Sequence, residues 1–174
     1  MRWSGPVAER RTTTLREARS TGASRFRYAD AGDSDLTIHH MPGHLIRRLQ
    51  QVAVRLFVDR VEPDMTPVQF AALVAASNRP ATDQATLSAL IGYDRATIGA
   101  VIDRLESRGW LARSASPHDR RLKLVRITPA GRRALARAMP AVEAVQASLM
   151  EPLAAADRKR FSDLCLRILI HHLG

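Results

Sequence analysis

The chain has a single cysteine, Cys165, in 174 residues, which excludes an internal disulfide framework and a cysteine-rich zinc site. Only Lys123 and Lys159 are lysines, so 25 of the 27 basic residues are arginine. Arginine suits bidentate contact with phosphate and guanine, yet a GC-rich genome yields the same bias, so the bias alone assigns nothing. No apolar run approaches the ~20 residues that span a bilayer, and the N-terminus lacks an apolar signal core; a cytoplasmic protein is expected. There is no glycine-rich phosphate loop, nucleophile elbow or acid–base pair at a telling spacing, so no catalytic residues, no cofactor and no metal site are assigned. Acids are scarce as well. Their 17 residues against 27 basic ones leave a formal net charge of +10 and a pI near 11.3, which favours a polyanionic partner such as nucleic acid.

What is present suffices for one ordinary domain: 45% of residues are apolar, and no internal repeat is evident. Residues 1–36 read as a basic, disordered extension, with seven arginines and two acids in residues 1–28. Such an arm either adds nonspecific contacts to DNA phosphates or has no role of its own. A first helix is expected from Pro42 or Gly43 to Arg60, with Leu45, Leu49, Val52 and Leu56 on one face and Ile46, Ala53 and Phe57 beside them. Thr66 and Gln69 form a capping box around Pro67, opening a helix whose Val68, Ala71, Ala72 and Ala75 are expected to point inward. Pro80 breaks the chain, and Thr82 or Asp83 caps a third helix. Thr128 and Pro129 open a long helix with Leu135, Met139, Val142, Val145 and Leu149 down one side, a kink at Pro140 and an end at Pro152. A last helix from about Ala156 carries Phe161, Leu164, Cys165, Ile168 and Leu169 on a face too wide for a lone helix. A second copy of the chain is expected to cover that surplus, and a C2 dimer would set two reading helices ~34 Å apart, one DNA turn.

Residues 83–131 carry the strongest functional signal. Asp94 can cap a helix that stops before Gly109, a residue type that tolerates a left-handed C-terminal position. Ile98, Val101, Ile102 and Leu105 fall on its core stripe; Ala96, Gly99, Ala100 and Asp103 fall opposite, flanked by Arg95, Thr97 and Arg104. Small residues let a helix approach base edges in the major groove while arginines beside them reach guanine or phosphate. A plain surface helix gives the same pattern, so the following segment matters. Residues 111–116 and 122–128 read as a hairpin, with Ser116, Pro117, His118 and Asp119 as turn chemistry. Between residues 113 and 126 stand Arg113, Arg120, Arg121, Lys123 and Arg126 against the one acid Asp119, which could pair with Arg120 or Arg121 and hold the other guanidinium outward. An arginine on a narrow hairpin can enter the minor groove.

The run DQATLSALIGYDRATIGAVIDRLESRGWLARSASPHDRRLKLVRITPAG resembles the winged helix-turn-helix core of the MarR family of bacterial transcriptional regulators. RLESRGWLAR, PHDRR and ITPAG stand in order at the family's spacing, and the resemblance extends from roughly Met41 to the C-terminus. A looser similarity in IHHMPGHLIRRL and MTPVQFAAL points to the branch that senses small aromatic acids. The resemblance implies a mostly α, α+β fold with a β-hairpin wing. It divides the chain into a helical dimerisation region at 37–62 and 130–174 and a DNA-binding lobe at 63–129. It implies a homodimeric regulator, read as a repressor, that binds a pseudo-palindromic double-stranded DNA operator and releases it when a small aromatic acid binds.

The effector residues follow from the same stretch. His39, His40 and His44 crowd the start of the first helix, and Arg47 shares a face with His44. Imidazoles and a helix N-terminus both suit a carboxylate, and Phe70 or Trp110 could wall an aromatic ring. The histidines also fit a plain polar helix entry, or less readily a metal site with His118, His171 or His172. A redox sensor on Cys165 would need an exposed thiol, whereas its position predicts a buried one. A nonspecific architectural DNA binder is the remaining alternative.

Overall fold

The structure, a computed structural model, describes residues 38–62, 65–117, 119 and 121–173, with only the backbone of His39. The basic extension, His118 and Arg120 lie outside the described residues. Two compact units are distinguished, Met1–Met41 and Pro42–Gly174. The described part of the first unit is one 3-10 turn, Ile38–His40, after which the Met41 N–H donates to the Ile38 carbonyl at 3.2 Å.

The second unit contains six helices and three short strands among the described residues: α1 Pro42–Arg60, α2 Pro67–Asn78, β1 Thr82–Asp83, α3 Gln84–Ile91, α4 Arg95–Ser107, β2 Leu111–Ala115, β3 Lys123–Ile127, α5 Pro129–Met150 and α6 Ala155–Leu173. Capping residues set most starts. The Thr66 hydroxyl accepts from the Gln69 N–H at 3.3 Å while Gln69 Oε1 accepts from the Thr66 N–H at 3.1 Å, completing the expected box. Asp83 accepts from the Ala85 and Thr86 N–H groups at 2.8 and 3.0 Å, and Asp94 from the Thr97 N–H at 2.8 Å. Gly92 ends α3 in the left-handed region at φ 77°, where a side chain would be strained. Helix α5 runs through Pro140 without a break and ends at Met150.

The sheet is antiparallel in the order β1-β3-β2, with Thr82 opposite Val125 and Leu111 opposite Ile127. Strand β1 is two residues long and has no signature in the sequence. It ties the start of α3 to the wing strand β3. The core joins α2, α3, α4, the sheet and α5: Leu73, Leu87, Ile98, Ile102, Leu105, Leu111, Val125 and Val145 are fully buried. All four residues of the α4 stripe are buried as expected.

Three expectations on packing are corrected. In α2 Ala72 is buried and Val68 and Ala75 pack half-buried against the core as expected, but Gln69, Leu73 and Ala76 share the most buried face and Ala71 is only half-buried. In α5 the small residues Gly131, Ala134 and Ala138 join Val142 and Val145 against the core, while Leu135, Met139 and Leu149 are half-buried. Cys165 is half-buried rather than buried, because α6 buries none of its residues against the rest of the chain. Phe161, Leu164, Ile168 and Leu169 on α6, and Leu45, Ile46, Leu49 and Val52 on α1, are exposed. Among the described residues no helix is long and apolar enough to cross a membrane.

A tight joint links the reading helix to α5. Gly109 turns the chain at φ 69°, the Thr128 hydroxyl donates to the Gly109 carbonyl at 2.6 Å, and the Thr128 N–H donates to the Trp110 carbonyl at 3.0 Å. Gly131 lies so close beneath that a Cβ on it would overlap the Trp110 carbonyl oxygen.

Candidate nucleic-acid interface

Helix α4 presents the face that its sequence predicts, with two qualifications. Arg95, Ala96, Ala100, Asp103 and Arg104 are exposed. Thr97 is half-buried and serves the helix start, its hydroxyl donating to Asp94 Oδ2 at 2.6 Å. That bond, with the Thr97 N–H, holds the Asp94 carboxyl below its ordinary value. Gly99 is not simply an outward residue. A Cβ there would meet Gln84 Nε2 at 3.0 Å, and the same Nε2 donates to the Arg95 carbonyl at 3.0 Å. The absence of a side chain at Gly99 thus admits the Gln84 amide, which fastens α3 to the first turn of α4.

Arg113 and Asp103, both expected at the DNA surface, pair with each other. The Arg113 guanidinium lies 2.6 Å from Asp103 Oδ1 and 2.6 Å from Glu106 Oε2, and the Arg113 N–H donates to Glu106 Oε1 at 3.0 Å. Burial pulls the guanidinium's pKa down, but the bonds to Asp103 and Glu106 outweigh it and hold the pKa above its ordinary value. Residues three apart on α4 therefore grip the wing strand β2 at one point, setting the angle between helix and wing. Neither Glu106 nor Gln84 was identified from sequence, since their partners lie seven and eleven residues away.

At the wing tip, the described bonds of Asp119 all run to or from backbone groups or Ser116. Its Oδ1 accepts from the Arg121 N–H at 2.9 Å and its carbonyl from the Leu122 N–H at 3.0 Å, while its own N–H donates to Ser116 Oγ at 3.4 Å. The side chains of Arg121 and Lys123 are exposed. Short polar links thus shape the turn and leave Arg121 and Lys123 pointing to solvent.

The expected effector residues are not brought to one place. His40 is exposed on the turn before α1. Arg47 Nη2 stands 3.5 Å from His44 Nδ1, and Arg47 lines a shallow groove along α1 with Gln51, Val54 and Val58. Phe70 meets Phe57 edge-on at 6.0 Å and lines a different recess, between α2 and α3. Trp110 lines neither recess; the Arg108 guanidinium lies 5.1 Å from its ring centre. Among the described residues no group of three or more His, Cys, Asp or Glu could hold a metal ion.

This arrangement has close relatives. The MarR family profile matches residues 65–123. The HTH-type transcriptional repressor NicR of Pseudomonas putida is 31% identical over 117 residues, 67% of this chain and 74% of that protein. A putative transcriptional regulatory protein for the hcr operon of Thauera aromatica is 31% identical over 149 residues, 83% of this chain and 90% of that protein. Among solved structures, the PcaV regulator of Streptomyces coelicolor in complex with its natural ligand superposes with a TM-score of 0.73 at 36% identity, covering 78% of this chain and 96% of that one. Bordetella bronchiseptica BpsR, whose DNA binding is regulated by 6-hydroxynicotinic acid, gives 0.69 at 33% identity over 72% and 96%. With its buried α4 stripe, its three-stranded wing and these likenesses, the chain belongs to the MarR family of DNA-binding transcriptional regulators.

Proposed function

We propose that the chain acts as a homodimeric repressor that holds a pseudo-palindromic operator and releases it when a small aromatic carboxylic acid binds. The observation that carries the DNA reading is the outward face of α4: Ala96 and Ala100 leave the helix axis close to solvent, with Arg95 and Arg104 at their sides. Arg121 and Lys123, together with Arg120, supply the wing contacts in this reading. The uncovered apolar faces of α1 and α6 support a second copy as partner, because exposed apolar area on this scale marks an interaction surface. PcaV and BpsR, crystallised or regulated with a small ligand, support the effector class.

Release requires the effector to prefer a lobe spacing that DNA does not, since a ligand indifferent to the two states shifts neither. In this reading His39, His40, His44 and Arg47 offer donors to the carboxylate at the start of α1. Gel shifts on the upstream region of the chain's own gene, titrated with single-ring aromatic acids, test the proposal directly. Sedimentation should give a dimer, and a saturating acid at 100 times its Kd should add ~2.7 kcal/mol of stability. A monomer at micromolar concentration, or DNA binding without sequence preference, would refute the reading and return the chain to an architectural role.

A further inference from the structure

Gln84 stands at the start of α3, outside the helix expected to meet DNA, yet its side chain lies against α4. Its Nε2 donates to the Arg95 carbonyl at 3.0 Å. A carbonyl only accepts, so the amide nitrogen and not the oxygen must face it, which fixes which way round the amide sits. That carbonyl already has a donor: by helix geometry it takes the N–H four residues on, that of Gly99. A side chain at position 99 would lean back over the same carbonyl. Gly99 has none, and a Cβ there would stand 3.0 Å from Nε2 and 3.9 Å from Cδ of Gln84.

A glycine inside a helix is less favourable than alanine, and a carbonyl with its helix bond made needs no second donor. The contact therefore does more for the glutamine than for α4. It holds a long, rotamer-rich side chain in one place before DNA arrives, so that binding does not have to order it. Among the described residues this is the only bond of the Gln84 side chain. Its second N–H and its Oε1 are left as a donor and an acceptor side by side, at the edge of the face where Arg95, Ala96 and Ala100 are exposed.

We propose that Gln84 reads an adenine of the operator from beside α4. In the major groove adenine offers N7 as acceptor and its N6 amino group as donor, and a primary amide matches both at once. Each of the other bases leaves one half of the amide unmatched there, and a phosphate would take the N–H but repel Oε1. Ala96 and Ala100 keep α4 close enough to the base pairs for a side chain anchored on its α3 side to reach an edge. The inference rests on the reading of α4 as the helix in the major groove, and adds to it a reader from the preceding helix.

The test uses the full chain and randomised DNA duplexes, from which the wild type and Gln84→Ala each select a preferred motif. The wild type should select adenine at one position of each half-site that Gln84→Ala leaves relaxed, with the rest of the motif shared. Competition titrations then replace that adenine by 7-deazaadenine, which lacks the N7 acceptor. Wild-type affinity should fall about tenfold, and that of Gln84→Ala should not change. Gly99→Ala, whose methyl group displaces the amide from its anchor, should relax the same position, and the double variant should relax it no further than either alone. Thermal melting checks that each variant is folded. An unrelaxed motif in Gln84→Ala overturns the proposal. Equal loss on all sequences also overturns it and leaves Gln84 only holding α4, while a lower salt slope with the motif kept overturns it in favour of a phosphate contact. If the wild type selects no motif at all, the operator reading falls with it.

Discussion

Replacing Arg113 by methionine keeps the aliphatic stem and removes the fork that holds Asp103 and Glu106. Hydrogen bonds to charged groups contribute ~1.5–3 kcal/mol when shielded, whereas exposed ion pairs contribute ~0–1 kcal/mol. The Arg113 side chain is 24% exposed, but Asp103 is 67% and Glu106 38% exposed, so solvent screens most of the first pair and part of the second. A loss of about 1–2 kcal/mol is expected, a fall in Tm of roughly 2–8 °C for a chain of this size. Phosphate contacts behave differently. Losing one would lower the salt dependence of operator binding by about 0.9 in slope and leave Tm unchanged. The clamp therefore predicts a lower Tm and an unaltered slope, with operator affinity reduced at every salt concentration because the wing angle is no longer fixed. A cycle with Glu106→Gln should give a coupling of about 1 kcal/mol. An unchanged Tm with a slope reduced by one unit would falsify the clamp and return Arg113 to the DNA surface.

Four further outcomes are expected. Ala100→Glu should abolish operator binding in gel shifts while sedimentation and circular dichroism remain those of the wild type; retained affinity would remove that face of α4 from the interface. Arg121→Ala should leave Tm unchanged and lower the salt slope by about 0.9, in contrast to Arg113→Met. Gly131→Ala forces a methyl group into the Trp110 carbonyl and should cost at least ~1–3 kcal/mol, read as a loss of soluble protein or a lower Tm. Hydrogen bonds from Thr86 and Ala85 hold Asp83 below its ordinary value. Its contribution is thus present above about pH 3.9 and lost as pH falls through the lowered value, so Asp83→Asn should flatten the acid limb of the stability curve.

Local chemistry was readable from the sequence wherever a single residue type does one job. The Thr66–Gln69 box, the Asp94 cap and the stripe from Ile98 to Leu105 appear in the structure as the sequence implies. The phase of α2 was not readable, because VQFAALVAA is apolar nearly all round and offers little contrast between faces. Gln69 points inward there because its side chain closes the cap, a use that polarity alone conceals. In α5, bulk misled: the helix approaches its neighbours through Ala134 and Ala138, so the larger Leu135 and Met139 are displaced to the flank. The Arg113 clamp, the Gln84 bridge and strand β1 depend on contacts across seven or more residues. Charge counting alone therefore could not show that Arg113 pairs with Asp103 and Glu106 on the same chain.

The joint at Gly109, Trp110, Thr128 and Gly131 has a mechanical consequence. Two hydrogen bonds and one backbone-on-backbone contact leave no slack between the end of α4, the root of the wing and the first turn of α5. The long helix then works as a lever arm welded to the reading head, and torque applied anywhere along α5 arrives at the wing and α4 together. A change at the far end of that arm is therefore expected to reach DNA as a rotation of the whole head rather than as bending within it.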